Sequence, residues 1–221
     1  MRRHSTSDQV WSIILAGGEG TRLRSLVHRW LGRPKPKQYC SFVGTRSMFQ
    51  HTLDRATKLT PPDRMVTVVA HNHRHDALTQ LDGRGSSTIL FQPANRDTAA
   101  GVFLPLTYIR ARAPRATVVL YPSDHFVYPE DRFLETVRRA VQIAQVRPDR
   151  VVILGVAPDR LELDYGWIQP GQPLTDLPGE PVQAVHSFLE KPDAAQADAA
   201  ILTGALWNTL VFAAKVDLLW T

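Results

Sequence analysis

Apolar residues in this chain fall into two rhythms. Short continuous or β-branched runs occupy positions 10–16, 65–70, 88–91, 117–121, 151–156 and 183–189 and predict strands. Between them, Phe49, Leu53 and Ala56, and later Phe133, Val137, Ala140, Val141 and Ala144, recur at helical spacing. Strands alternating with amphipathic helices are the pattern of βαβ units and predict an α/β fold with a mostly parallel sheet. Positions 97–112 are apolar nearly all round, which predicts a helix buried beneath other elements and kinked at Pro105. Positions 157–181 are rich in Pro, Gly and Asp and predict loops around a short hairpin that carries substrate contacts.

Composition narrows the class. The chain has 221 residues, 43% hydrophobic and 21% charged, enough to bury one sizeable core as a single domain. No run is long and apolar enough to span a membrane, and positions 1–9 lack the apolar centre of a signal peptide, so the expected location is cytoplasmic. One cysteine, Cys40, excludes an intrachain disulfide and a cysteine-rich zinc site, and reads as a small buried hydrophobe. The net charge of +5 could mean nucleic acid, but the arginines are scattered along the chain, and a basic protein that handles phosphorylated small molecules explains the charge equally well. Arginine outnumbers lysine 21 to 5, so each lysine is an unusual choice. Lys35, Lys37 and Lys191 all fall in the segments that carry chemistry.

Three clusters are candidates for that chemistry. The first strand runs into Gly17, Gly18, Glu19, Gly20, Thr21 and Arg22. Glycines there allow close approach of backbone N–H groups to phosphate oxygens, and Arg22 adds a fixed charge, although a tight strand-to-helix turn needs glycine too. The spacing fits neither the Walker A loop nor the Rossmann fingerprint. Lys37, in the run Pro36, Lys37, Gln38 and Tyr39, reads alone as a solvated loop charge, and beside a phosphate nest as a cation for nucleotidyl transfer. Asp124 follows the most apolar strand, where open parallel sheets bind ligands; it suits a Mg²⁺ ligand or a cap for the next segment.

The ordered set LAGGEGTR, PKQY, QPANRDTAA, YPSDH, DYGWI, FLEKPD and LWN resembles the mannose-1-phosphate guanylyltransferase family, from about Val10 to the end of the chain. The resemblance implies a Rossmann-like nucleotidyltransferase core, its mixed, mostly parallel sheet flanked by helices, forming GDP-mannose and pyrophosphate from GTP and mannose 1-phosphate with Mg²⁺. It places Leu15, Ala16, Gly17, Gly18, Gly20 and Thr21 around the triphosphate, with Gln92 and Asn95 near base and ribose. Arg22 and Lys37 are the implied catalytic cations and Asp124 the implied metal ligand. Gly166, Glu190, Lys191 and Asn208 form the implied sugar-phosphate pocket, and an exposed strand-end ion pair remains the plain reading of Glu190 and Lys191.

The chain departs from that pattern at three points. Ser25 stands where proline is common, Thr209 and Leu210 stand where Ser-Gly is common, and the family's chains continue beyond this length. The expectation is a single catalytic domain, residues 1–221, that lacks the family's C-terminal continuation and binds nucleotide more readily than it turns it over. Asp217 is expected at a helix start. His71, His73 and His75 are expected as surface or helix-entry residues, and Trp167, Trp207 and Trp220 as core. Nothing in the sequence calls for a membrane or nucleic acid, and a homodimer is left open. Glucose-1-phosphate thymidylyl- or uridylyltransferase activity and a truncated non-catalytic nucleotide-binding relative are the alternative readings.

Overall fold

The computed structural model describes residues 9–81, 83, 87–94, 96–175, 177 and 182–220. They fall into two compact units, one from Met1–Val152 with Phe212–Thr221, the other Ile153–Val211. Eight strands and seven α-helices are found among the described residues, in a mixed sheet with a parallel core.

The first unit begins with β1 (Val10–Ala16), α1 (Arg24–Leu31), α2 (Met48–Thr57), β2 (Met65–Ala70) and α3 (Arg74–Leu81). It continues through β3 (Thr88–Gln92), α4 (Asp97–Arg112), β4 (Thr117–Pro122) and α5 (Glu130–Val146). Four strands lie in the order β3, β2, β1, β4, all parallel, with Leu15 paired to Val68 on one side and to Pro122 on the other. β2 and β4 are buried along their whole length, which is why they read as unbroken apolar runs. Helices α2, α4 and α5 pack on this sheet. Inside it, the hydroxyls of Ser12 on β1 and Thr60, both fully buried, bond at 2.7 Å. α2 starts with a capping box: Ser47 accepts from the Gln50 N–H while the Gln50 side chain accepts from the Ser47 N–H.

Helix α4 departs from expectation. It runs unbroken through Pro105, and only Gly101, Pro105, Leu106 and Ile109 are buried. Phe103 and Leu104 lie on its exposed side, so the helix is half covered, not enclosed. The ring clash of an internal proline falls on the residue four positions earlier, here Gly101. Helix α7 (Val216–Trp220) starts with Asp217 in its first turn and packs on α4. Trp220 is partly exposed, edge-on to Phe103 and under Arg110, and so is not a core residue.

The second unit holds β5 (Val152–Val156), β6 (Gly166–Leu174), β7 (Val182–Glu190), α6 (Ala194–Leu202) and the first part of β8 (Leu206–Lys215). The last four residues of β8 belong to the first unit, antiparallel to β4. β8 was unexpected, and β6 stands where a short hairpin was expected within positions 157–181 but pairs with β7, beyond that stretch. β6 carries Pro170, Gly171 and Pro173, and it accommodates them through register shifts against β7. Trp167, Trp207, Ala197, Ala200 and Ala205 form the unit's core, the two indoles edge-on at 6.1 Å. α6 is capped by Asp193, in a second capping box with Gln196, which explains the aspartate that ends FLEKPD.

Leu210 has φ of 57°, held by two local bonds: its N–H donates to the Asn208 side chain at 2.9 Å, and the Val211 N–H donates to the Thr209 hydroxyl at 3.2 Å; that hydroxyl in turn donates to Leu154 O on β5 at 2.6 Å. A left-handed backbone explains why glycine suits this position. Two stability measurements test these packing arguments. Ser12→Ala should cost about 1–3 kcal/mol because it strands the Thr60 hydroxyl, and adding Thr60→Val should recover part of that loss; simple additivity in denaturant unfolding refutes the pairing. Leu210→Val should unfold more readily than Leu210→Ala by about 1 kcal/mol although it keeps more apolar surface, since a branched Cβ is least tolerated at positive φ.

Candidate active site

Strand order reverses beside β1: β2 and β3 build outward on one side, and the chain then returns to place β4 on the other. The crevice outside the carboxyl ends of strands flanking such a reversal is where open α/β sheets bind ligands. Two segments leave from there. After β1 come Gly17–Gly20 and the 3-10 turn Thr21–Leu23; after β4 come Ser123, Asp124 and His125. The Ser123 N–H donates to Leu15 O at 3.1 Å, fixing the second segment against the first strand.

A third segment completes the group. The 3-10 turn Lys37–Tyr39 brings the Lys37 ammonium to 2.6 Å from the Asp124 carboxylate. The turn is tied to the glycine loop by side chains: Gln38 Nε2 donates to Gly18 O at 2.7 Å and to Ala16 O at 3.2 Å, and the Tyr39 hydroxyl donates to Ala16 O at 2.9 Å. Gly20, with φ of 61°, lies so close that a Cβ on it would meet the Lys37 backbone N at 3.0 Å. Lys35 points elsewhere, to Asp76 at 3.6 Å.

Burial opposes ionisation of Asp124, yet the positive charge of His125 and Lys37, with hydrogen bonds from Lys37 and its own backbone, holds its carboxyl below the usual range. His125, 3.9 Å from Asp124, is itself pushed down by burial and by Lys37, against the pull of Asp124. Of the two groups, Lys37 is the one in direct contact with the carboxylate, at 2.6 Å. Burial also pushes the Tyr39 phenol up, keeping it a donor.

The structure gathers most of the nucleotide-side residues around this pair. Gln92 ends β3, buried, with its side-chain oxygen 3.1 Å from where a Cβ on Gly17 would lie; Gly101 borders the same amide. Leu15 and Ala16 offer carbonyls already occupied by Ser123, Gln38 and Tyr39. Gly18, Thr21 and Arg22 are exposed. Asn95 lies outside the described residues. The histidines lie at the entry of α3, as one of the two expected placements had it: His71 and His75 are exposed, while His73 is buried, 3.6 Å from Glu19 and edge-on to Tyr39. With Asn72 donating to Glu19 at 3.1 Å and Arg24 3.6 Å away, His73 turns the loop's one carboxylate towards the entry of α3.

In the second unit, Gly166 pairs directly with Glu190 across the antiparallel β6–β7 ladder. Trp167 pairs with Trp207 and Ile168 with Leu206, so the same register carried one residue further sets Asn208 opposite Gly166. Glu190, Gly166 and Asn208 therefore share one row across three strands, and opposed residues share a face. A Cβ on Gly166 would lie 2.7 Å from the Phe188 ring and 3.0 Å from the Glu190 carboxylate, so only glycine leaves room for both. Lys191 follows the row, exposed, at φ of 47°, with its N–H donating to Tyr165 O at 3.3 Å.

Sequence reasoning picked Lys37 and Asp124 and missed four others: Gln38, Tyr39, Glu19 and Phe188. Gln38 and Tyr39 sit beside Lys37 in its own motif. Phe188 shares a face with Glu190 by the two-residue strand period, a signal that β7 carried all along.

With this geometry in place, comparison with known proteins is informative. The model of the nucleotidyl transferase family matches residues 11–219. Mannose-1-phosphate guanylyltransferase of Klebsiella pneumoniae is 31% identical over 204 residues, 90% of this chain and 41% of that protein. Xanthan biosynthesis protein XanB of Xanthomonas campestris pv. campestris (strain B100) is 32% identical over 206 residues, 92% of this chain and 41% of that one. The chain thus spans less than half the length of these curated relatives. The crystal structure of mannose-1-phosphate geranyltransferase from Thermus thermophilus superposes with a TM-score of 0.81 at 28% identity, covering 95% of this chain and 58% of the other. Inositol-1-phosphate CTP transferase from T. maritima, at 15% identity and a TM-score of 0.64, shares the fold. A family match over nearly the whole chain, on a fold of the same kind, establishes that the chain belongs to the nucleotidyl transferase family.

Proposed function

We propose that this chain is the catalytic core of a sugar-1-phosphate nucleotidylyltransferase that forms GDP-mannose and pyrophosphate from GTP and mannose 1-phosphate. The observation that carries the reading is the Lys37–Asp124 pair at 2.6 Å, beside a glycine loop at the reversal of strand order. The name of the relative at 31% identity, a mannose-1-phosphate guanylyltransferase, supports the choice of substrates.

In this reading, an oxygen of mannose 1-phosphate forms a bond to the α-phosphorus of GTP, and the bond from that phosphorus to the β-phosphate bridge breaks, its electron pair leaving with pyrophosphate. The chain's residues position the groups and neutralise charge, since such a displacement needs little covalent help. The loop 17–21 offers N–H donors to the triphosphate, and Arg22 stands beside it for the departing pyrophosphate. Lys37 leaves Asp124 for phosphate oxygen as the more highly charged ligand arrives. Gln92, at the end of β3, faces the nucleoside. In the second unit, Glu190 and Asn208 address sugar hydroxyls while Lys191 pairs with the sugar phosphate.

Asp124 fits a Mg²⁺ ion. Its carboxylate is ionised and partly exposed, and among the described residues no three His, Cys, Asp or Glu side chains converge on one point. One carboxylate, with the remaining ligands from phosphate and water, is the donor set that suits this ion and not a structural zinc. When bound, the ion supplies charge neutralisation at the phosphates. Among the described residues no helix is long and apolar enough to cross a membrane.

Two experiments test the reading. Pyrophosphate release measured over four nucleoside triphosphates and both mannose and glucose 1-phosphates should be fastest with GTP and mannose 1-phosphate. A faster rate with dTTP or UTP and glucose 1-phosphate overturns the substrates but not the class, and no release with any pair overturns the class. Lys37→Ala should lower turnover by on the order of 10² to 10³, the usual cost of one transition-state donor. Its thermal midpoint should barely move, because the ion pair it breaks is partly exposed. Lys35→Ala, which breaks only the contact with Asp76, should keep turnover within about threefold of the parent. Equal loss in both variants removes Lys37 from the chemistry.

A further inference from the structure

The turn that carries Lys37 grips the glycine loop by its carbonyls, and that grip has a consequence for the N–H groups. Gln38 Nε2 serves two of them, Gly18 O at 2.7 Å and Ala16 O at 3.2 Å, as an amide nitrogen with two protons is able to do. The Tyr39 hydroxyl is a second donor to Ala16 O, at 2.9 Å. Both side chains are almost wholly buried, at 3% and 1% exposure, where an unpaired donor is costly. Two further carbonyls nearby are also engaged: Leu15 O accepts from Ser123 N, and Gly20 O from Leu23 N.

A trans peptide is planar, with its C=O and the following N–H pointing in opposite directions. Holding Ala16 O and Gly18 O towards the buried turn therefore aims the N–H groups of Gly17 and Glu19 away from it, towards the exposed side of the loop. Neither glycine at positions 17 and 18 restricts its own peptide planes, so the direction must be imposed from outside. Gly20 packs against the Lys37 backbone, so the same contact that sets the loop sets the lysine relative to it.

We infer that Gln38, with Tyr39 in support, is a positioning residue that presets the loop N–H donors for the phosphate oxygens of a nucleoside triphosphate. This rests on reading the loop as the triphosphate site. Gln38 touches no ligand atom; it acts through the carbonyls of Ala16 and Gly18. A flexible loop would have to be ordered by the ligand, and that ordering would be subtracted from binding.

The test is calorimetric titration of the whole 221-residue chain with Mg·GTP and, separately, with mannose 1-phosphate, for the parent, Gln38→Met and Tyr39→Phe. Methionine keeps the size and loses both donors. Gln38→Met should weaken Mg·GTP binding by about tenfold, and Tyr39→Phe, which leaves the Gln38 bond to Ala16 O in place, by about threefold. Binding of mannose 1-phosphate should stay within about twofold of the parent in both. A role confined to packing would lower the thermal midpoint and weaken both ligands together, and that result overturns the inference. Unchanged Mg·GTP affinity in a folded Gln38→Met overturns it too. Should Gln38→Met fail to fold, Tyr39→Phe decides alone by the same selective loss. If the parent binds no nucleoside triphosphate, the reading of the loop fails and takes this inference with it; if the parent binds and the variants bind equally, only the inference fails.

Discussion

Everything at the candidate site depends on β4 lying beside β1. Had the chain continued outward from β3, the segment after β4 would emerge three strands away from the glycine loop. The return to β1 leaves the two segments one strand spacing apart, about 4.8 Å, with Ser123 bonded directly to Leu15. Lys37 comes from neither strand. It reaches Asp124 only because Gln38 and Tyr39 fasten its turn to the last residue of β1 and to the loop beyond. Topology supplies the crevice, and buried neutral hydrogen bonds place the charge in it.

Charges within the first unit are arranged so that the loop is left receptive to an anion. A carboxylate in the middle of that loop would oppose a phosphate a few ångströms away. Glu19 is such a carboxylate, and Asn72 and His73 hold it at the entry of α3, with Arg24 of α1 a further cation 3.6 Å away. Asp124 is the other nearby negative charge, and Lys37 neutralises it. Both carboxylates are therefore held by partners of this chain, Asp124 in a short, partly buried pair and Glu19 in longer contacts, and a more highly charged ligand can rearrange them.

How far the sequence disclosed this depended on the kind of signal. β2 and β4 were plain because strands buried on both faces leave unbroken apolar runs. β6 stayed hidden because Pro170, Gly171 and Pro173 are loop signals, and only pairing with β7 through shifted registers makes them a strand. α4 misled for another reason: apolar residues on every side, Phe103 and Leu104 among them, left the period without a face to read. At the site, Lys37 and Asp124 stood out as charged residues in loops. Gln38 and Tyr39 carry no charge, and their role appears only once the carbonyls they bind are in view. Glu19 was passed over within its own motif, because nothing in the local sequence says that a partner awaits it 53 and 54 positions later, at Asn72 and His73.

Glycine at these sites is set by its neighbours more than by its own freedom. At position 17 the room is needed by Gln92, and at position 166 by Phe188 and Glu190. Only at position 20 do both demands coincide, a positive φ and a backbone contact with Lys37. Position 210 is the converse case, since its φ of 57° would suit glycine and yet the residue is leucine. The strain is carried by Asn208 and Thr209, whose side chains accept from the N–H groups of Leu210 and Val211. That use has a chemical consequence for Asn208. One lone pair of its side-chain oxygen is taken by the Leu210 N–H, which leaves its amide protons and a second lone pair, while Glu190, across Gly166 in the same row, offers only acceptors when ionised. A hydroxyl both donates and accepts, so a row that holds both kinds of group can meet one from either end.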